Sequence, residues 1–178
     1  LFQAQMESEG YFKSIFDNAL YGIATTIGTD FRFVSVNDAF CRLLEYDRDE
    51  LVGVRSVGDV TIPDDYPLNE NLLTKLINNE IQRFQIEKQY VTKSGRCIDV
   101  IVYVLGFYDN DGKYIGSTGS IMDITDPKKM ERKLKNKEQK YRNLVDNSLV
   151  GVFSSTLDGR FIFVNDALAK MYDFDSPE

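Results

Sequence analysis

The sequence predicts an α+β fold: one complete module, a connector helix, and the opening of a second module. Three observations carry this. Apolar residues alternate with polar ones over short β-rich runs, whereas elsewhere they recur at helical spacing. A motif near the start, Phe16 to Tyr46, returns roughly 130 residues later as Val145 to Phe174. In that return Asp17-Asn18, Gly22, Arg32-Phe33 and Val36-Asn37-Asp38-Ala39 are answered by Asp146-Asn147, Gly151, Arg160-Phe161 and Val164-Asn165-Asp166-Ala167.

The elements follow in order. Residues of about 6 to 20 read as helix, with Met6, Phe12, Ile15, Phe16 and Ala19 at helical spacing and Gly10 as a weak point. Gly22 to Ile27 and Phe31 to Val36 are strands around a "GTD" turn. Ala39, Phe40, Leu43 and Leu44 then form one helical face behind an Asn37 or Asp38 cap. Short irregular helices are expected through Leu51 and Val57. A longer helix carries the stripe Leu68, Leu72, Leu73, Leu76 and Ile77, with Asp64 as its cap and Pro67 in its first turn.

Three strands come next. Phe84, Ile86 and Tyr90 alternate with Gln85, Glu87 and Gln89 as far as the "KSG" turn. Cys97 to Phe107 carries Ile98, Val100, Val102 and Val104 on one face and Ile101, Tyr103 and Leu105 on the other, so both faces are expected to be covered. Tyr114 to Ile124 follows the "YDNDG" turn. Thr125 or Asp126 then caps a helix with Pro127 at its start. Met130, Leu134, Tyr141, Leu144 and Ser148 make a short, imperfect heptad seam along it, which serves either a second helix or the helix's own domain.

Composition narrows the function. The chain has 178 residues, 43% hydrophobic and 28% charged, enough for a buried core without metal or disulfide help. Cys41 and Cys97 lie far apart without metal-ligand spacing, which argues against zinc and for a reducing, cytoplasmic compartment. No run is apolar and long enough to span a bilayer, so no membrane contact is expected of these residues. A net charge of −7 argues against nucleic acid as a partner. The basic cluster from Lys128 to Arg142 is interleaved with Glu131 and Glu138 and reads as a solvated helix surface. The chain contains no histidine, which removes histidine-ligated haem, Ser-His and Cys-His nucleophiles and a phospho-accepting histidine. Asp64-Asp65 reads as a helix cap rather than an acid pair, and "GSTGS" (Gly116 to Ser120) lacks the context of a nucleophile elbow or a phosphate loop. No catalysis is expected of this chain.

The ordered set "VNDAFCRLLEYDRDELVG" (Val36 to Gly53), "IPDDYP" (Ile62 to Pro67), "TKSG" (Thr92 to Gly95), "DNDGKYIG" (Asp109 to Gly116) and "MDITDPKKMERKL" (Met122 to Leu134) resembles the PAS sensory domain with its C-terminal extension. The resemblance covers residues of about 10 to 135. It implies a five-stranded antiparallel sheet with helices on one face around a small cavity. The expected organisation is an N-terminal helical segment (1–20), a PAS domain (11–125), a connector or signalling helix (126–148) and an incomplete second PAS copy (149–178), as in a piece cut from a multi-PAS protein.

The resemblance also implies a site. Ser117, Gly119 and Ile121 would face Ile86, Tyr90, Val100 and Val102 across the cavity, with Phe40, Leu44, Ile62, Leu72 and Leu76 as the helical wall. Small residues in "GSTGS" leave room for an unknown small ligand, with Ser117 and Tyr90 as polar handles. Asp123 and Thr125 of the "DIT" element would relay its occupancy to the connector helix. Flavin photosensors of the superfamily carry a cysteine where this chain has Ser56, so a covalent flavin adduct is not expected. The implied function is a ligand-binding, dimerising sensor in a two-component signalling protein, with a histidine kinase output outside this chain. The alternative is a ligand-free scaffold for dimerisation or protein–protein contact. A homodimer is expected through the N-terminal and connector helices and the outer sheet face. The second copy's hairpin, lacking its neighbours, is expected to pair with another chain.

Overall fold

The computed structural model describes residues 10–11 and 13–173. The chain divides into two compact units, residues 1–126 and 127–178.

In the first unit the expected alternation produces the sheet. Strands β1 (Gly22–Ile27), β2 (Arg32–Val36), β3 (Arg83–Val91), β4 (Cys97–Tyr108) and β5 (Tyr114–Asp123) pair antiparallel in the order β2-β1-β5-β4-β3. The "GSTGS" strand therefore lies at the centre. Gly116 and Gly119 are small there for different reasons. A Cβ on Gly116 would stand 2.3 Å from the Thr26 carbonyl oxygen, so the close approach of the paired strands β1 and β5 there demands glycine. A Cβ on Gly119 would meet only ordinary contacts at 3.5 Å and beyond, so glycine there leaves volume.

Between β2 and β3 run α1 (Asp38–Leu44), α2 (Arg48–Leu51), α3 (Val57–Val60), a 3-10 turn (Pro63–Asp65) and α4 (Tyr66–Ile77). The buried Asn37 is the cap that makes the repeated motif intelligible. Its Oδ1 accepts from Phe40 N (2.9 Å) and Ile23 N (2.8 Å), and its Nδ2 donates to Phe16 O (2.9 Å) and Tyr21 O (3.1 Å). One side chain thus caps α1, fastens β1 and holds the chain that enters the domain. Gly22 serves the same junction, since a Cβ there would press within 3.0 Å of the Phe40 ring.

The core is one cluster under the sheet, including Phe33, Val36, Phe40, Leu44, Leu51, Val60, Ile86, Tyr90, Val100, Val102 and Ile121. A smaller one joins Phe31, Leu73, Leu76 and Tyr114. The structure departs from the sequence reading in several places. Met6 and Phe12 lie outside the described residues, residues 13–18 are helical, and Ala19 falls beyond that segment. The N-cap position of α4 is Asp65 rather than Asp64, because the 3-10 turn runs through Asp65 before the helix begins at Tyr66, and the Asp65 side chain accepts from Gln89 N rather than capping the helix. Leu68, placed in the buried stripe of that helix, is 60% exposed, and its neighbour Asn69 is buried instead. Among the described residues nothing covers the outer face of β4, where Tyr103 and Leu105 are 48% and 47% exposed.

Helix α5 (Thr125–Asp146) leaves the first unit, and its seam residues Met130, Leu134, Tyr141 and Leu144 are all exposed. The second unit repeats the first as far as it goes, with β6 (Phe153–Ser155) paired antiparallel to β7 (Phe161–Val164) and followed by α6 (Asp166–Met171). Asn165 reproduces Asn37 bond for bond, accepting from Leu168 N and Val152 N and donating to Val145 O and Val150 O at 2.8 to 3.0 Å.

Candidate ligand pocket and helix junction

A cavity of about 30 Å³ lies between the centre of the sheet and α4. From β5 come Ser117, Gly119 and Ile121, from β4 Val102 and Val104, from β3 Tyr90 and Lys88, from β1 Ala24 and Thr26, from α4 Asn69 and Leu73. Phe31, Phe33 and Val57 complete the wall. Of the residues expected there, Tyr90, Val102, Ser117, Gly119 and Ile121 line it. Phe40, Leu44, Ile86 and Val100 belong to the packed core instead, and Leu72 packs against that core without reaching the cavity. Leu76 lies in the smaller cluster, and Ile62 is half-buried, donating its backbone N–H to Gln89 O (3.1 Å). These positions share the inward face but are filled by one another.

Sequence reasoning missed the polar centre. Lys88 stands on the inward face of β3 between Ile86 and Tyr90 and is only 4% exposed. Its Nζ donates to Asn69 Oδ1 (2.8 Å) and Thr61 Oγ1 (3.4 Å) and lies 4.9 Å from the centre of the Tyr90 ring. Burial pushes its ammonium down to about 7, and the charge of Asp65 acts the other way. The Asn69 bond and the ring also favour the protonated form. The signal was present: the period-two pattern puts position 88 inside, and a lysine there breaks an otherwise apolar row. On the β1 side Thr26 Oγ1 and Ser117 Oγ share a 2.9 Å hydrogen bond.

The pocket is about tenfold smaller than sites for drug-sized ligands, which run to roughly 300–1,000 Å³. The residues present therefore do not fit a flavin. Ser56 is engaged at the start of α3, where its N–H and hydroxyl both donate to Asp59 Oδ2 at 2.7 and 2.9 Å. Among the described residues no group of His, Cys, Asp or Glu is arranged to hold a metal, and no helix is long and apolar enough to cross a membrane.

The second feature is the junction between sheet and helix. Thr125 Oγ1 accepts from Asp99 N (2.9 Å), Ile124 N donates to Asp99 O (2.9 Å), and Asp123 Oδ1 accepts from Thr125 N (2.8 Å). The first turn of α5 is thereby fastened to β4, next to the strand residues that wall the pocket. Asp99 was missed as the receiving residue; it is nearly buried and also accepts from Gln89 Nε2 (3.1 Å).

Comparison with known proteins agrees with this architecture. Over 126 residues the chain is 29% identical to the probable diguanylate cyclase DgcE of Escherichia coli, an alignment covering 71% of this chain and 11% of that protein. Over 168 residues it is 24% identical to sporulation kinase E of Bacillus subtilis, covering 89% of this chain and 19% of that protein. The chain thus spans a small part of the length of both curated relatives. Among solved structures, the PAS domain of an HTR-like protein from Haloarcula marismortui superposes with a TM-score of 0.57 at 24% identity, over 68% of this chain and 96% of that one. With family models described as PAS domain matching residues 21–126 and again 139–178, the chain belongs to the PAS domain family.

Proposed function

We propose that the first unit is the sensory module of a multi-PAS signalling protein, taking a small ligand in its core and passing the change through Asp123, Ile124 and Thr125 into α5. The observation that supports this is the shared use of β4 and β5. The strands that supply Val102, Ser117, Gly119 and Ile121 to the cavity also anchor the first turn of the helix through Asp99. A ligand biases the helix only by preferring one of two strand arrangements, so the relay needs this mechanical continuity. The output lies outside these residues. The chain is similar to part of a probable diguanylate cyclase and part of a sporulation kinase, and we assign a histidine kinase output in a cytoplasmic signalling protein.

The test is Asp123→Ala in the full-length parent, which is expected to remain folded while its output no longer responds to stimulus. An unchanged response would overturn the relay.

The small cavity favours a second reading, a scaffold that binds nothing and serves association. The exposed outer face offers Tyr103, Leu105, Phe107, Ile115 and Met122 to a second copy. Native mass spectrometry separates the readings by the presence or absence of a copurifying small molecule. Light scattering tests the homodimer, which a monomeric mass at high concentration would exclude.

A further inference from the structure

On the side of Lys88 the pocket has a buried donor without an acceptor. Lys88 donates to Asn69 Oδ1 and Thr61 Oγ1, and among the described residues no carboxylate lies within ion-pair distance of it. Asp65, whose charge reaches it, is spent on the backbone N–H of Gln89. Binding Lys88 fixes the orientation of the Asn69 amide, so Asn69 Nδ2 is left without a partner although the residue is only 2% exposed. A buried cation beside an unused buried N–H is costly unless an acceptor joins them.

The space around these donors is larger than the cavity alone. A surface cleft of about 180 Å³ adjoins it, and Phe31, Asn69 and Leu73 line both. Of the three, Phe31 is the bulkiest, and it is held at a φ of 51°, a left-handed conformation such residues rarely adopt. The mouth of the cleft carries two carboxylates, Asp30, paired with Arg32 at 3.2 Å, and the exposed Glu70. They disfavour a polyanion far more than a single charge.

We propose that cavity and cleft form one site for a short-chain monocarboxylate, its head against Lys88 Nζ and Asn69 Nδ2 and its alkyl tail between Phe31, Val57 and Leu73. The proposal rests on reading the core as a ligand pocket and names what that pocket takes. The head supplies the missing acceptor and counter-charge, and the tail replaces the apolar contacts that Phe31 gives up when it moves aside. Because burial holds Lys88 near the point of losing its proton, the bound carboxylate restores the ammonium, and binding above pH 7 takes up a proton. The other groups facing Lys88 are Asp65 from the 3-10 turn and Tyr90 from its own strand; α4 and β4 present the uncharged Asn69 and Val100.

The test is a titration of the isotope-labelled chain at pH 7 with sodium propionate, with sodium chloride and propionamide as controls. The expected result is a saturable shift of the Asn69 side-chain amide with propionate alone. Lys88→Met is expected to weaken it by at least about tenfold, the worth of one charge-assisted hydrogen bond. Asn69→Asp places a carboxylate against Lys88 within the chain and is expected to abolish binding without unfolding the domain. Undiminished binding in Lys88→Met would overturn the proposal. A response to propionamide but not propionate would overturn the ligand class while leaving the pocket, and silence from both would remove the pocket reading as well.

Discussion

Lys88 Nζ and Asn69 Oδ1 meet at 2.8 Å inside the domain, joining the third strand to the long helix across a polar part of the cavity wall. The contact binds sheet to helix, yet it keeps an ammonium out of water. Burial opposes the charge, and the amide, the Tyr90 ring and the charge of Asp65 sustain it.

Stability should therefore rise with pH. The folded-state pKa of Lys88, about 7, lies below the ordinary value of 10.5, so between those limits the unfolded chain holds a proton the folded chain has shed. Below pH 7 the fold carries the whole cost of the buried cation, and above 10.5 it carries none. Lys88→Met is expected to stabilise the domain at pH 6 by on the order of 3 kcal/mol and to lose most of that advantage by pH 10. Urea unfolding at a series of pH values measures it; parallel curves for the two proteins would show that Lys88 stays charged throughout.

The two glycines of the central strand should respond in opposite ways. Gly116→Ala drives a Cβ against the Thr26 carbonyl and should cost about 3 kcal/mol or more, since backbone rather than a flexible side chain must yield. Gly119→Ala meets the Ile121 and Val102 side chains at 3.5 and 3.8 Å and should cost under about 1 kcal/mol while narrowing the cavity. Thermal melts of the pair decide it. Equal losses would mean that β1 does not approach β5 this closely at Gly116.

These glycines mark how far the sequence could be read. Strand and helix periods, the turns and the central place of "GSTGS" were legible because each rests on local spacing or on a recognised order of motifs. Which small residue leaves room was not, because that depends on how closely β1 approaches β5 at each position of their pairing. The same limit hid the polar centre. Lys88 falls on the inward row by simple alternation, but its partner Asn69 is 19 positions away on a helix whose apolar stripe pointed to Leu68 instead. Both faces of β4 are apolar, and alternation alone could not show that the outer one, with Tyr103 and Leu105, is left exposed by the described residues of its own chain.

An acid-sensitive clamp closes the other end of the sheet. Glu45, in the left-handed conformation that ends α1, accepts from Ser94 Oγ and Ser94 N and pairs with Arg96 (2.6 Å), holding the β3–β4 turn. The Ser94 hydroxyl first, and Arg96 next, keep its carboxyl well below the usual carboxylate range. A depressed carboxyl contributes above its unfolded pKa and loses that contribution as pH falls through the folded one. The window therefore lies between about pH 4.3 and the lower folded value. Glu45→Gln is expected to flatten the acid limb of the stability profile and to lower stability at pH 7 by the same amount that the limb loses, a small one because the pair is solvent-screened. Amide exchange at Ser94 and Gly95, followed from pH 6 down to 3, reads the clamp directly.

The two-copy motif predicts a common point of failure. Asn37 and Asn165 each use both amide atoms twice, in fully buried positions, and no other side chain supplies two acceptor and two donor contacts in that shape. Asn37→Ala removes the acceptor of the Ile23 and Phe40 N–H groups and the amide that donates to the Phe16 and Tyr21 carbonyls. It should cost the first unit about 2–4 kcal/mol. Asn37→Asp keeps the two acceptor contacts but sets a carboxylate against two carbonyl oxygens, and should cost at least as much despite its equal size. If instead Asn37→Asp proved as stable as the parent in urea, the bonds to Phe16 and Tyr21 would be dispensable and the capping of α1 would be the whole of the residue's role.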